Sequence, residues 1–218
     1  MMDAQTKAGL EKANGVEPNN LEFIEAKDIV PENSQGISNA DFLEALFGDY
    51  LNVDDRIYAW VCAHGHDFPE GEKKAPPGIW CGHEWRGKEI GDGSPEAALN
   101  TYFGLALWQP FAKPGDVLST RVRQKPNFYL LPCIMLDDIG TKANSELILQ
   151  PTWMIETSPG NFQAGYVFSD PIESRSDAEL LFKALGAASG VTDVGGQSLT
   201  RYARLPVGFN LKQKHRGE

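Results

Sequence analysis

Apolar and polar positions fall into short blocks of two different periods along this chain. Ser38-Asn-Ala-Asp41 precedes Phe42-Leu-Glu-Ala-Leu-Phe47, which is apolar at helical spacing. Ser38 or Asn39 therefore caps a short amphipathic helix, and Gly48 ends it. Arg56-Ile-Tyr-Ala-Trp-Val-Cys-Ala63 is aromatic and β-branched without a breaker, a strand pattern. Asn100 to Trp108 reads as a second strand. Phe128-Tyr-Leu-Leu-Pro-Cys-Ile-Met-Leu136 is the longest apolar run and predicts a central strand. Pro132 lacks an N–H for the ladder, so the regular strand is expected to begin after it. Pro151–Thr157 and Phe162–Phe168 flank Ser-Pro-Gly-Asn and predict a β-hairpin. Ser176, with Glu179 three residues on, reads as a capping box opening a helix through Ala188, and Gly190 stops it.

The stretches between these blocks differ in kind. Residues 1–36 are polar and rich in Asn, Glu and Pro, with a small apolar island at Leu21–Ile24. They read as an acidic, partly flexible arm preceding one α+β domain over 37–218. Residues 64–99 are crowded with Gly, Pro and charge and predict a long loop with one strand near Ile79-Trp80.

Charge narrows the function classes. The 218 residues carry a net charge of −10, unlike a protein that coats nucleic acid. Residues 1–60 hold twelve acids against four Lys/Arg, a net of −8, which leaves −2 for the rest. Arg201 to Arg216 contains five Lys/Arg and no acid, a strip suited to phosphates. No apolar run is long enough to span a bilayer, and the N-terminus lacks the apolar core of a secretory signal. Three cysteines leave at least one unpaired, so a reduced, cytoplasmic chain is expected.

Three groups of residues carry candidate chemistry. Asp137 and Asp138 close the longest apolar run ahead of Ile139-Gly140, either a rigid place for carboxylates that hold Mg²⁺ or Mn²⁺ or an ordinary acidic strand end leading into a Gly turn. Adjacent strand residues point to opposite faces unless a bulge intervenes, so sharing one ion requires a bulge or a strand end there. Glu156 is a further carboxylate across the sheet. Asp193 is either a third metal carboxylate or a turn residue. The second group is Cys62, His64, His66, Cys81 and His83, whose thiolates and imidazoles are zinc's preferred ligands. Its spacing is not that of a zinc finger, and loop histidines facing solvent are the alternative. The third is Arg201-Tyr-Ala-Arg204-Leu-Pro-Val-Gly-Phe-Asn210-Leu-Lys212, either a phosphate-contacting segment or a basic surface strip.

Taken in order, the acids after Cys133-Ile-Met-Leu, the turn Thr157-Ser-Pro-Gly-Asn-Phe-Gln163 and the segment Arg201–Lys212 resemble motifs of the RepB-type replication primases of plasmids and phages. These form a branch of the archaeo-eukaryotic primase superfamily. The resemblance covers roughly residues 100 to 214. It implies a mixed or antiparallel sheet with an RRM-like catalytic half and helices packed on one face. It implies nucleotidyl transfer on single-stranded DNA, with Asp137 and Asp138 catalytic and Asp137, Asp138, Glu156 and Asp193 holding metal. Ser158, Asn161, Gln163, Arg204 and Lys212 then bind the nucleoside triphosphate, and a replicative helicase is an implied partner in the host cytoplasm. The family's acids are usually spaced one residue apart, and its turn motif ends in histidine where Gln163 stands. A neutral amide carries no proton for transfer, which predicts weak or absent synthesis. The departures keep two alternatives open: a degenerate module that binds nucleotide or single strand, and a zinc-stabilised interaction protein.

Overall fold

Two antiparallel four-stranded sheets meet at one residue pair. In the computed structural model, Tyr58 and Trp108 exchange both backbone hydrogen bonds at 2.9 Å and so link the end of an inner strand of one sheet to the edge strand of the other. The structure describes residues 24–25, 37–66, 78–87, 99–111, 121–193, 195 and 197–210. Most of the predicted arm and Lys212 lie outside these.

The first sheet holds β2 (Ala59–His64), β3 (His83–Trp85), β4 (Asn100–Gly104) and β10 (Tyr202–Arg204), in the order β10-β4-β2-β3. The second holds β5 (Leu107–Trp108), β6 (Phe128–Ile139), β8 (Trp153–Ser158) and β9 (Asn161–Ile172), in the order β5-β6-β9-β8. A small ribbon pairs β1 (Ile24–Glu25) with β7 (Glu146–Leu147). Among the described residues two α-helices complete the fold, α1 (Asn39–Leu51) and α2 (Arg175–Ala187). This is the expected α+β class, with every strand pair antiparallel among the described residues.

Alternation divides the first sheet. Val61 pairs with Phe103, and Phe103 with Ala203; all three face the core. There they meet Phe42, Leu43 and Phe47 of α1, with Phe42 edge-on to Phe103 at 5.4 Å and to Trp153 at 5.6 Å. Ala178 and Phe182 of α2 pack into the same core. The residues in between, His64, Tyr102, Tyr202 and Arg204, fall on the other face.

Several boundaries differ from the sequence reading. Ser38, one of the two expected caps, starts α1, with Asp41 returning the bond, but the helix runs through Gly48 to Leu51. Gly48 and Leu51 are both buried, so packing outweighs glycine's modest helix penalty. The helix α2 opens two residues early. Ser174 rather than Ser176 accepts from the Asp177 N–H, and Lys125 pairs with Glu179 at 2.8 Å. Gly78–Trp80 is a turn, and the strand lies beyond it at β3. The block Asn100–Trp108 splits between the two sheets at Leu105-Ala106. Pro132 lies within β6, opposite a register shift whose partner strand carries Pro171. Two missing donors fall together there, and the ladder bulges around them.

Candidate active site

A bulge places both central acids. Leu136 pairs with Ala164 and Ile139 with Phe162, so β6 holds one residue more than β9 over this interval. Asp138 takes up the excess in the left-handed region, at φ 57°. The bulge cancels the alternation that would send Asp137 and Asp138 to opposite faces, and both line one cleft of about 780 Å³. Gly140 follows at φ +85°, where a Cβ would stand 2.5 Å from the Gly160 carbonyl. Only glycine lets the hairpin turn close on the end of β6.

Asp137 is buried and fully engaged. Its Oδ1 accepts from Gln163 Nε2 at 2.9 Å and from the Asp138 N–H at 3.0 Å. Its Oδ2 pairs with Arg201 at 2.6 Å. Its backbone docks the segment after α2: the N–H donates to Thr192 Oγ1 at 2.8 Å, and the carbonyl accepts from the Asp193 N–H at 3.1 Å. Two backbone bonds thus bring Asp193 to the cleft.

Asp138 is partly exposed to the cleft. It accepts from Asn161 Nδ2 at 3.0 Å and pairs with Lys142 at 2.6 Å. The Lys142 ammonium also lies 3.4 Å from Asp193. The hydrogen bond and charge of Asp138 raise its pKa. Two carboxylates therefore converge on a single cationic atom. In donor chemistry this fits a hard divalent ion such as Mg²⁺, which commonly takes one or two carboxylates and completes its shell with water and substrate phosphate.

The hairpin and the first sheet build the opposite wall. Asn161, fixed by Thr157 and Thr141, points its amide at Asp138. Gln163 is buried, and its Oε1 accepts from the Arg204 N–H at 2.9 Å. The Arg204 guanidinium donates to Asn100 at 3.1 Å and to the Phe209 carbonyl at 3.0 Å, and lies 4.8 Å from the Tyr102 ring centre. Burial lowers its pKa.

Asp137, Asp138, Ser158, Asn161, Gln163, Asp193 and Arg204 all line the cleft. Glu156 does not. It is exposed and accepts from the Gly160 N–H at 2.8 Å, holding the hairpin turn. The bulk of the site is thus assembled from four elements far apart in sequence. Reasoning from sequence missed Thr192, which holds the Asp137 backbone, and Lys142, Trp80, Tyr102 and Tyr202, which line the same cleft. Lys142 does follow Asp138 by four residues, a spacing that offers an ion pair once a turn intervenes.

The zinc candidates do not gather. Cys62 is buried with its Sγ 3.8 Å from the Cys81 carbonyl, Cys81 is exposed, and His64 stacks on Tyr102 at 5.6 Å. Among the described residues no three His, Cys, Asp or Glu side chains form a group able to hold a metal ion. No described helix is long and apolar enough to cross a membrane.

Comparison with known proteins adds to this geometry. The family described as RepB DNA-primase N-terminal domain matches residues 118–218, slightly under half of the chain. The resemblance read from the three sequence motifs is borne out there: all three fall within the matched residues, and this part of the chain is similar to that family. No curated protein matches the chain. Among solved structures, the chain is similar to the AEP domain of the cyanophage S-2L primase-polymerase, with 13% identity, a TM-score of 0.46, and coverage of 77% of this chain and 80% of that one.

Proposed function

We propose that the cleft is the active site of a replication primase, joining nucleoside triphosphates on a single-stranded DNA template. The observation that carries this reading is the convergence of Asp138 and Asp193 on one cation position, beside the Asp137–Gln163–Arg204 chain. Carboxylates on a rigid strand end and arginines across a narrow cleft suit a triphosphate and its counter-ion.

In this reading Asp138 and Asp193 hold Mg²⁺ or Mn²⁺, with Asp137 held beside them by Arg201. When bound, the ion neutralises triphosphate charge and favours ionisation of the attacking hydroxyl. Asn161 orients the Asp138 carboxylate. Arg204, together with Ser158 and Lys212, steadies the phosphates, and Gln163 fixes the Arg204 backbone against Asp137. A replicative helicase is the natural partner of such an activity, in the cytoplasm of a host cell. The acidic stretch over 1–36 precedes the catalytic domain of 37–218 in sequence and touches it where Ile24–Glu25 pairs with Glu146–Leu147.

A specific observation favours a second reading. Arg201 already neutralises Asp137, and Lys142 already sits between Asp138 and Asp193. A module that kept the fold and lost catalysis, binding only nucleotide or single strand, would tolerate such internal pairing. Primer synthesis on single-stranded DNA with Mg²⁺ and with Mn²⁺ separates the two. Synthesis that Asp138→Ala abolishes supports the primase. No synthesis with either ion, and strand binding intact, leaves the binding module.

A further inference from the structure

The cleft has a second end with different chemistry. Trp80 stands in the turn before β3, with 41% of its surface exposed. Its ring lies nearly parallel to Tyr202, 5.8 Å between centres at 23°, and edge-on to Tyr102 at 5.0 Å. All three line the cleft together with the acids and Arg204. The two tyrosines are anchored. Tyr202 accepts from Trp60 Nε1 at 3.0 Å, and Arg123 covers its ring at 3.7 Å. Arg204 covers Tyr102. Burial raises both phenol pKa values, that of Tyr202 to about 12, so the rings stay neutral.

We propose that Trp80, supported by Tyr102 and Tyr202, is a stacking platform for unpaired bases of a single-stranded nucleic acid entering the cleft. Three rings in succession extend beyond the footprint of one base, which favours a strand over a lone nucleotide. The arginines that line the cleft with the rings, Arg201 and Arg204, match a backbone of phosphates running along them. A purely packing role would bury Trp80 as Trp85 and Trp108 are buried. Instead a large ring faces the cleft on a rigid base. Stacking is indifferent to base identity, because every base presents a π-face, and this suits a template reader that must accept any sequence. The inference rests on the proposal that the cleft takes a single strand, but it does not need catalysis.

The test compares three ligands by fluorescence anisotropy or competition: a labelled single-stranded oligodeoxynucleotide, an abasic strand of the same length and charge, and a free nucleoside triphosphate. Wild type should bind the normal strand about 5- to 150-fold more tightly than the abasic one, the range expected of about 1–3 kcal/mol of stacking. Trp80→Ala should remove that preference while leaving abasic-strand affinity unchanged, and Trp80→Phe should retain part of it. Equal binding of normal and abasic strands by wild type overturns the platform and leaves strand binding by the cleft standing. A Trp80→Ala loss confined to the free triphosphate overturns it in favour of the incoming nucleotide. Absence of all strand binding overturns both this inference and the reading beneath it. A circular-dichroism melt of each variant identifies misfolding, and Trp80→Phe then decides the question alone.

Discussion

Gln163 donates its amide hydrogen to Asp137 Oδ1 at 2.9 Å, and both side chains form part of the cleft wall. Its other amide atom accepts from the Arg204 backbone, so one side chain ties β9 to β6 and to the neighbouring sheet. Gln163→Leu leaves a buried carboxylate oxygen and a backbone N–H short of partners. It should cost about 2 kcal/mol or more in urea denaturation, since each unsatisfied buried group costs about 1–3 kcal/mol. Gln163→His keeps one donor and one acceptor as a neutral imidazole, so it should retain most of the stability. In the primase reading it should also raise primer synthesis, because an ionisable ring beside the triphosphate stabilises developing negative charge. Loss of stability in the histidine variant equal to that of leucine would mean that shape, not bonding capacity, decides this position.

Lys142 acts as a tethered counter-ion for Asp138 and Asp193. A divalent ion at that pair must displace its ammonium. Lys142→Met should therefore tighten Mn²⁺ binding, followed by the electron paramagnetic resonance signal of free Mn²⁺, by up to about fivefold. The limit reflects the exposure of Lys142 and the ~1 kcal/mol ceiling for exposed ion pairs. Asp138→Asn should weaken binding in either background. Identical Mn²⁺ affinity in wild type and Lys142→Met would place the metal elsewhere.

Local signals made much of this architecture legible. The run from Phe128 gives β6, Pro159-Gly160 gives the hairpin turn, and Ser38 with Asp41 gives the start of α1. What escaped was decided by contacts between distant segments. Tyr202–Arg204 forms a strand only because β4 offers an edge, and its three residues carry no period of their own. Ser174 and Ser176 are equivalent as caps until Lys125 engages Glu179. The bulge that unites Asp137 and Asp138 was readable as a requirement of the chemistry, whereas its excess residue shows only in the register with β9. Trp80, Tyr102 and Tyr202 are separated by loops and one another's strands, so nothing in the linear order marks them as a group.

Gly165 should not tolerate a side chain. It stands opposite Trp153 across β8 and β9, and a Cβ there would overlap the indole ring. Trp153 in turn packs edge-on against Phe42 and Phe103, so it has no room to withdraw. Gly165→Ala should destabilise by about 1–3 kcal/mol, the usual cost of overpacking. A truncated partner restores space, so Gly165→Ala with Trp153→Leu should lose less than the two single losses added together. Strict additivity in that cycle would show that the two residues do not compete for the same volume.

The three thiols should separate by reactivity. Cys133 is buried in the core, which pushes its pKa to about 12, so at pH 8 it is almost wholly the unreactive thiol. Burial raises Cys62 as well. Cys81 is exposed. Iodoacetamide treatment of the native protein at pH 8, read by peptide mass, should label Cys81 first and leave Cys133 unlabelled until denaturant is added. Early labelling of Cys133 would show that β6 opens on the timescale of the reaction.

The pair between Asp137 and Arg201 should be conditionally important. Asp137 is 6% exposed and Arg201 37%, at 2.6 Å. Arg201→Ala strands a buried carboxylate that Gln163 and the Asp138 N–H, both on the other oxygen, cannot compensate. The loss should be roughly 2–4 kcal/mol, below the full cost of an unpaired buried charge because water reaches the arginine side. Asp137→Asn removes the charge but keeps an oxygen for Gln163, so it should cost less. The decisive protein is the double variant Asp137→Asn/Arg201→Ala, which buries no net charge. Urea denaturation of the four proteins should place it above Arg201→Ala in stability. If Arg201→Ala matches wild type, water solvates Asp137 from the cleft, and the arginine is then available to a phosphate.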